Sequence, residues 1–135
     1  IVGGPNKRTD YHIDAFEEFF YQIKGDIVLR IQEDGKARDV EVKEGDVFLL
    51  PAYVPHAPMR PAGTVGLIAE IKRTKDDPLD GFSWFCEKCN HQLFRKDAYI
   101  EVLERDMPPI FEAYYADPGN QTCDSCGHVN PGRPV

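Results

Sequence analysis

The sequence predicts an all-β protein, a sandwich or barrel of short antiparallel strands, with a small cysteine-bearing tail behind it. Three observations carry that reading. Short β-type runs recur through the first half, Gly, Pro and Asn punctuate them, and no amphipathic helix of useful length competes there. The expected strands cover residues 8–12, 16–24, 27–32, 37–42, 47–50 and 65–72. The first follows the Pro5-Asn6 punctuation, and the second ends at Gly25. The tight turn at Glu33, Asp34 and Gly35 joins the third and fourth as a hairpin. Gly45 and Pro51 bound the fifth, and the apolar run VGLIA opens the sixth. Around residues 76–81 the pattern breaks into a polar, turn-rich linker. This divides the chain into a barrel core over 1–75 and a linker plus tail over 76–135. In the tail, 97–103 reads as a strand, and 108–115 has the Pro-led start and apolar spacing of a short helix. The first residue is Ile1 rather than Met, and IVGG reads as the interior of a domain, so a preceding segment is expected.

With 135 residues the chain suffices for one domain with a sizeable core and a small appendage, not for two full domains. Hydrophobic residues make up 41% and charged residues of mixed sign 29%, as in a folded soluble protein. A formal charge of −7 offers no basic stripe to phosphate backbones, so nucleic acid is not an expected partner. No apolar run approaches a membrane span and no basic-then-apolar leader opens the chain. A cytoplasmic protein with no membrane partner is the expectation.

Two stretches concentrate the chemistry. GPNKRTDYHIDAFEEFFYQIKG puts five residues between His12 and Glu18 and six between Glu18 and Gly25. GDVFLLPAYVPHAPMR puts five residues between Gly45 and Pro51 and four between Pro51 and His56. Their spacing resembles the two signature motifs of the cupin barrels, a double-stranded β-helix or jelly roll. In that fold two hairpins bring His and Glu ligands from the first motif against one His from the second. Four-ligand cupins carry HxH where this chain has Asp10, Tyr11 and His12, so three protein ligands remain. Alternation along a strand without a bulge places Arg8, Asp10, His12, Phe16, Glu18 and Phe20 on one face, which selects Glu18 over Glu17. Two imidazoles and one carboxylate with open positions are the facial triad of Fe(II) oxygenases. Taken singly, His12 would be a turn histidine and Glu18 a solvated carboxylate; the joint spacing favours a metal site.

The same counting groups Arg60 with His56. An inward Arg in a small barrel needs an anion, and a guanidinium is the natural clamp for a planar carboxylate. The competing reading pairs Arg8 and Arg60 with Asp10 or Glu70 as scaffolding. Glu70 closes an apolar run, where a desolvated carboxylate with a raised pKa would suit a proton acceptor.

Every cysteine falls in one of two CxxC pairs, Cys86 with Cys89 and Cys123 with Cys126. This reads as a closed four-thiolate site, rubredoxin-like with iron or zinc-ribbon-like with zinc, of structural role. Two disulfides are the alternative. His91 and His128, just beyond the pairs, are expected at the surface.

Beyond the generic cupin, GGPNKRTDYH, EEFFYQIKG, EGDVFLLPAYVPHAPMRP and WFCEKC resemble the 3-hydroxyanthranilate 3,4-dioxygenases of bacterial and fungal type, with a cysteine-rich tail. The likeness runs from Ile1 to the closing PGRP. It implies a homodimeric, Fe(II)-dependent extradiol dioxygenase of tryptophan and kynurenine catabolism or 2-nitrobenzoate degradation. Its substrates are 3-hydroxyanthranilate and O2, and its product, 2-amino-3-carboxymuconate semialdehyde, is a quinolinate precursor. His12, Glu18 and His56 match the iron ligands, Arg8 and Arg60 the carboxylate-binding arginines, and Glu70 the acid at the substrate hydroxyl. Asp10 matches a residue beside the site, and the tail implies a second Fe or Zn. The family also has a segment before GGPN that helps close the pocket and contributes to the dimer. A cupin that binds a small carboxylic acid without oxygen chemistry, as an isomerase or sensor, is the main alternative. A second alternative makes the tail a zinc ribbon that recruits nucleic acid or protein.

Overall fold

The apolar runs fold into ten strands, which a computed structural model covering residues 1–135 arranges in two antiparallel sheets. The strands are β1 (Val2–Gly3), β2 (Tyr11–Ile13), β3 (Glu18–Lys24), β4 (Ile27–Glu33), β5 (Lys36–Val42), β6 (Val47–Leu50), β7 (His56–Met59), β8 (Val65–Glu70), β9 (Asp80–Phe85) and β10 (Gln92–Ala98). One sheet has the order β1-β8-β3-β6 and the other β10-β9-β2-β7-β4-β5. They face each other as the two walls of a cupin jelly roll, the fold class expected.

Alternation decides what each wall buries. Along β3, Glu18, Phe20 and Gln22 are buried while Phe19 and Tyr21 face out. Phe20 and Leu50 from one sheet meet Ile27, Leu29, Ile31 and Val42 from the other in the main core. The β4–β5 hairpin turns at Asp34 and Gly35, both with positive φ (51° and 74°), the two-residue geometry that matches strand twist. Helix α1 (Leu103–Asp106) is one turn long. Helix α2 (Pro108–Ala116) matches the helix expected over 108–115, and its leading prolines occupy positions whose N–H would have no intrahelical partner. It closes a second core over the β9–β10 end of the larger sheet, with Ile110 and Tyr114 against Phe82 and Trp84. The Trp84 and Tyr114 rings stack at 4.3 Å. No helix is long and apolar enough to cross a membrane.

Several boundaries differ from expectation. The division at 75/76 does not separate two bodies, because β9 pairs with β2 inside the larger sheet through Tyr11↔Ser83, His12↔Phe82 and Ile13↔Gly81. The linker expected over 76–81 gives way to strand at Asp80. The strand expected over 97–103 lies earlier, at β10, and Leu103 already begins α1. β7 was not among the expected strands. Regular structure also starts later than expected at Tyr11 and Glu18 and stops at Glu70.

Candidate metal centre and its surroundings

Three strands converge at one end of the main core. His12 on β2 pairs directly with His56 on β7, and Glu18 reaches across from β3 in the facing sheet. One ligand atom from each lies within 4.8 Å of the others. Glu18 Oε1 is 3.2 Å from His12 Nδ1 and 3.1 Å from His56 Nε2. Neither contact is an aligned hydrogen bond, and this buried oxygen has no hydrogen-bond partner. His56 Nδ1 lies 3.0 Å from the Val54 carbonyl, which only accepts, so Nδ1 carries a hydrogen and Nε2 is the nitrogen turned toward Glu18. An orphaned carboxylate oxygen facing imidazole nitrogens is the donor set of a transition metal, and the three residues fit one. Phe20 stands edge-on to His56 at 6.1 Å and Phe82 lies 5.3 Å from the His12 ring.

The electrostatics agree. Burial alone would raise the Glu18 pKa, yet the two imidazoles hold its carboxyl well below the usual range. Burial opposes protonation of His12, but Asp80 and Glu18 on either side outweigh it. With only these protein groups around it, the ring is pushed up to about 9. The site therefore attracts positive charge.

The remaining expected site residues are placed unevenly. Arg60 is buried, and its Nη1 donates to Gln22 Oε1 at 3.2 Å, with no carboxylate in contact. Burial pushes its pKa down. Its guanidinium sits at the Gln22–Gly66 rung, four residues along β3 from Glu18, rather than at the triad. Arg8 is not inward. Its side chain is 38% exposed, holds the buried Asp10 through Nε (2.9 Å) and Nη2 (2.5 Å), and lies 5.2 Å over the Phe111 ring. The Asp10 pairing is the contact that the scaffolding alternative names, and β2 begins only at Tyr11, so strand alternation does not extend back to Arg8. Glu70 pairs with Glu18 in register, but its side chain is 35% exposed and accepts from Arg73 Nη1 at 2.5 Å. The desolvated setting expected for Glu70 is absent, since it ends its strand at the barrel mouth. A surface hollow of about 690 Å³ borders Arg8 and Arg60, but outward-facing residues of β4 and β7 line it and the triad does not.

Sequence reading missed Asp80, Arg73 and Asp14. Asp80 Oδ1 lies 3.2 Å from His12 Nε2. Arg73 Nη2 reaches Asp80 at 2.9 Å and Asp14 at 2.5 Å. Asp14 in turn accepts from the Phe16 N–H at 2.9 Å. The only local signal was a charged residue leading the run GFSWF, which reads equally well as a turn.

The four cysteines form the second cluster, with all sulfurs within 4.8 Å and no disulfide. Cys86 and Cys126 Sγ are 3.6 Å apart, and Cys89 and Cys123 Sγ 3.5 Å. A tetrahedron with 2.3 Å metal–sulfur bonds has edges of about 3.8 Å. The two turns repeat one geometry. Cys86 N donates to His91 O and Cys123 N to His128 O, each at 2.8 Å, while Asn90 and Gly127, each following the second cysteine of its pair, share a positive φ. His91 is exposed as expected; His128 is half-buried, with its Nε2 lacking a hydrogen-bond partner.

Comparison with known proteins bears on both clusters. The model of the 3-hydroxyanthranilic acid dioxygenase family matches residues 1–115, a span that contains the triad and the first cysteine pair. The 3-hydroxyanthranilate 3,4-dioxygenase of Ruegeria pomeroyi is 49% identical over 134 residues, covering 98% of this chain and 74% of that protein. Its namesake from Paraburkholderia phytofirmans is 48% identical over 136 residues, with coverage of 100% and 78%. That from Xanthomonas campestris is 47% identical over 131 residues, with coverage of 97% and 74%. Among solved structures, hydroxypropylphosphonic acid epoxidase from S. wedmorenis in complex with fosfomycin superposes with a TM-score of 0.42 at 17% identity. That match covers 51% of this chain and 38% of the other. The epoxidase is too distant to argue from, but a family match across most of the chain and relatives near half identity over nearly all of it are decisive: the chain belongs to the 3-hydroxyanthranilic acid dioxygenase family.

Proposed function

We propose that this protein opens the ring of 3-hydroxyanthranilate with O2 to give 2-amino-3-carboxymuconate semialdehyde, with Fe(II) held by His12, Glu18 and His56. The observation that carries the reading is the buried, orphaned Glu18 oxygen facing two imidazoles in a chain of this family. When bound, Fe(II) supplies Lewis acidity to the substrate's amine and hydroxyl and the redox partner that dioxygen needs.

The protein groups do the rest. Arg60, buried with only a neutral amide for company, binds the substrate carboxylate and fixes the ring's orientation. That role requires its guanidinium to turn from Gln22 toward the Glu18 rung. Arg8 keeps its Nη1 edge open while Asp10 occupies the other, so it remains a second donor to the same carboxylate. Glu70, at the mouth beside Glu18, accepts the phenolic proton. Phe20 and Phe82 flank the imidazoles and keep bulk water from them.

The four thiolates hold a second metal, iron or zinc, in a structural role; the tetrahedral spacing of the sulfurs supports it. The protein works as a homodimer in the cytoplasm. Support for assembly is the apolar outer face of the smaller sheet, where Phe19, Tyr21, Ile23, Val47 and Leu49 are all exposed, and sedimentation at micromolar concentration tests it.

The decisive experiment is anaerobic reconstitution with Fe(II), followed by addition of O2 and 3-hydroxyanthranilate. Oxygen uptake matched by the ring-opened product is expected, and none from His12→Ala. An iron-loaded protein that consumes no O2 with this substrate would overturn the reading.

A further inference from the structure

Asp80 stands outside every donor set expected from the sequence, yet it is the group that faces the far edge of His12. The residue is 3% exposed, and its Oδ1 lies 3.2 Å from His12 Nε2. This contact has hydrogen-bond geometry and a carboxylate only accepts, so Nε2 carries a hydrogen. On the opposite edge, Nδ1 lies 3.2 Å from Glu18 Oε1 without hydrogen-bond alignment, so in the neutral ring that a metal needs the lone pair falls on Nδ1. His56 follows the same plan in mirror order, with Nδ1 toward the Val54 carbonyl and Nε2 toward the same Glu18 oxygen. Each ring donates outward and turns its other nitrogen inward.

Asp80 is itself held. Arg73, with a side chain 11% exposed, donates to Asp80 Oδ1 from Nε (3.2 Å) and Nη2 (2.9 Å). The same guanidinium reaches Asp14 Oδ2 and Glu70 Oε2, each at 2.5 Å, and the Ile71 carbonyl at 2.9 Å. One arginine thus anchors both the carboxylate behind a metal-facing histidine and the acid at the mouth of the site.

We propose that Asp80 is a positioning residue of the metal centre, fixing His12 in the tautomer that presents Nδ1 to the metal, and that Arg73 locks Asp80 to Glu70. The inference rests on the reading of His12, Glu18 and His56 as a metal site. A carboxylate behind a ligating imidazole sets the ring's orientation and raises its basicity, and removing such a partner typically weakens metal binding about ten- to a hundredfold. A carboxylate that merely stitched the β8–β9 connection would leave affinity and tautomer alone.

Zn(II), being diamagnetic, is the probe. Long-range proton–nitrogen NMR correlations on the full Zn(II)-loaded chain are expected to show His12 bound through Nδ1 with hydrogen on Nε2, and His56 bound through Nε2. Zinc on His12 Nε2 overturns the proposal, without any variant having to fold. Asp80→Asn is expected to weaken Zn(II) binding at this site about ten- to a hundredfold while the four-cysteine metal and the melting temperature hold. Unchanged affinity overturns the positioning role while the metal site stands. If instead His12→Ala leaves both metal equivalents in place, the metal reading itself fails, and the positioning role with it.

Discussion

The two donor clusters differ in what surrounds them. The triad is assembled from strands of both sheets, its three donors leave coordination positions open, and charged side chains gather near it: Asp80, Arg73 and Glu70. The four cysteines come from two local turns and close on one another, with backbone N–H groups as their hydrogen-bonding company. A closed tetrahedron has no position to offer a substrate, whereas three donors on one side of an ion do. One cluster is furnished to react and the other to hold.

The sharpest way to break that contrast is to remove a ligand from each side. His12→Ala or His56→Ala is expected to lower metal content from two equivalents to one and abolish ring opening, with the fold intact. Cys86→Ser or Cys123→Ser is expected to do the reverse. The binding energy of a structural metal is also folding energy, so the melting temperature should fall by more than about 10 °C while turnover per barrel iron changes little. Elemental analysis paired with thermal melts checks both halves. A cysteine variant that kept its stability but lost turnover would erase the division of labour.

A second test separates two carboxylates that share a rung. Glu18→Ala should lose the barrel metal, whereas Glu70→Ala should keep metal and substrate binding and slow ring opening about 10² to 10⁴-fold, the usual worth of a positioned acid or base. Metal content, anaerobic substrate affinity and single-turnover rate together distinguish them. A metal-depleted Glu70→Ala protein would move that residue into the ligand set.

How much of this was legible follows from the same contrast. The cysteine site could be read directly because each pair is local and CxxC has few other uses. The grouping of the triad could be read because motif spacing marked His12, Glu18 and His56 together, and β3, which runs without a bulge from Glu18 to Gln22, turns Glu18 inward beside the two histidines. The rule failed at Arg8, where the chain is not yet a strand. Asp80 stayed hidden for a different reason. β9 is covered on both faces, by the barrel and by α2, so GFSWF shows no period-two pattern and its leading aspartate reads as part of a linker. β10 was displaced in the reading because Arg95, Lys96 and Asp97 give it the polar surface of an edge strand.

Arg60→Ala probes the reactive cluster more gently. A charge-assisted clamp contributes about 1.5 to 3 kcal/mol, so substrate affinity should fall roughly ten- to a hundredfold with iron retained. Turnover of 2-aminophenol by the unaltered enzyme, equal to that of 3-hydroxyanthranilate, would remove the clamp.

The smallest expected effect is the most specific, because it moves Arg60 without deleting it. Gly66 lies opposite Gln22 in register, and a Cβ there would sit 2.7 Å from Arg60 Nη1 and 2.9 Å from Gln22 Oε1. Both atoms end flexible side chains, so Gly66→Ala should fold, with the guanidinium displaced from its place beside Gln22. Gln22 yields less than Arg60, since its Nε2 is tied to the carbonyls of Lys24 (3.0 Å) and Gly25 (2.7 Å). If Arg60 meets the substrate carboxylate, affinity for 3-hydroxyanthranilate should change about two- to tenfold, within ~1.4 kcal/mol. Binding of 2-aminophenol, which has no carboxylate, should not change. Equal shifts for both ligands would mean that the alanine disturbs the barrel generally, and that the buried guanidinium at this rung serves the fold rather than the substrate.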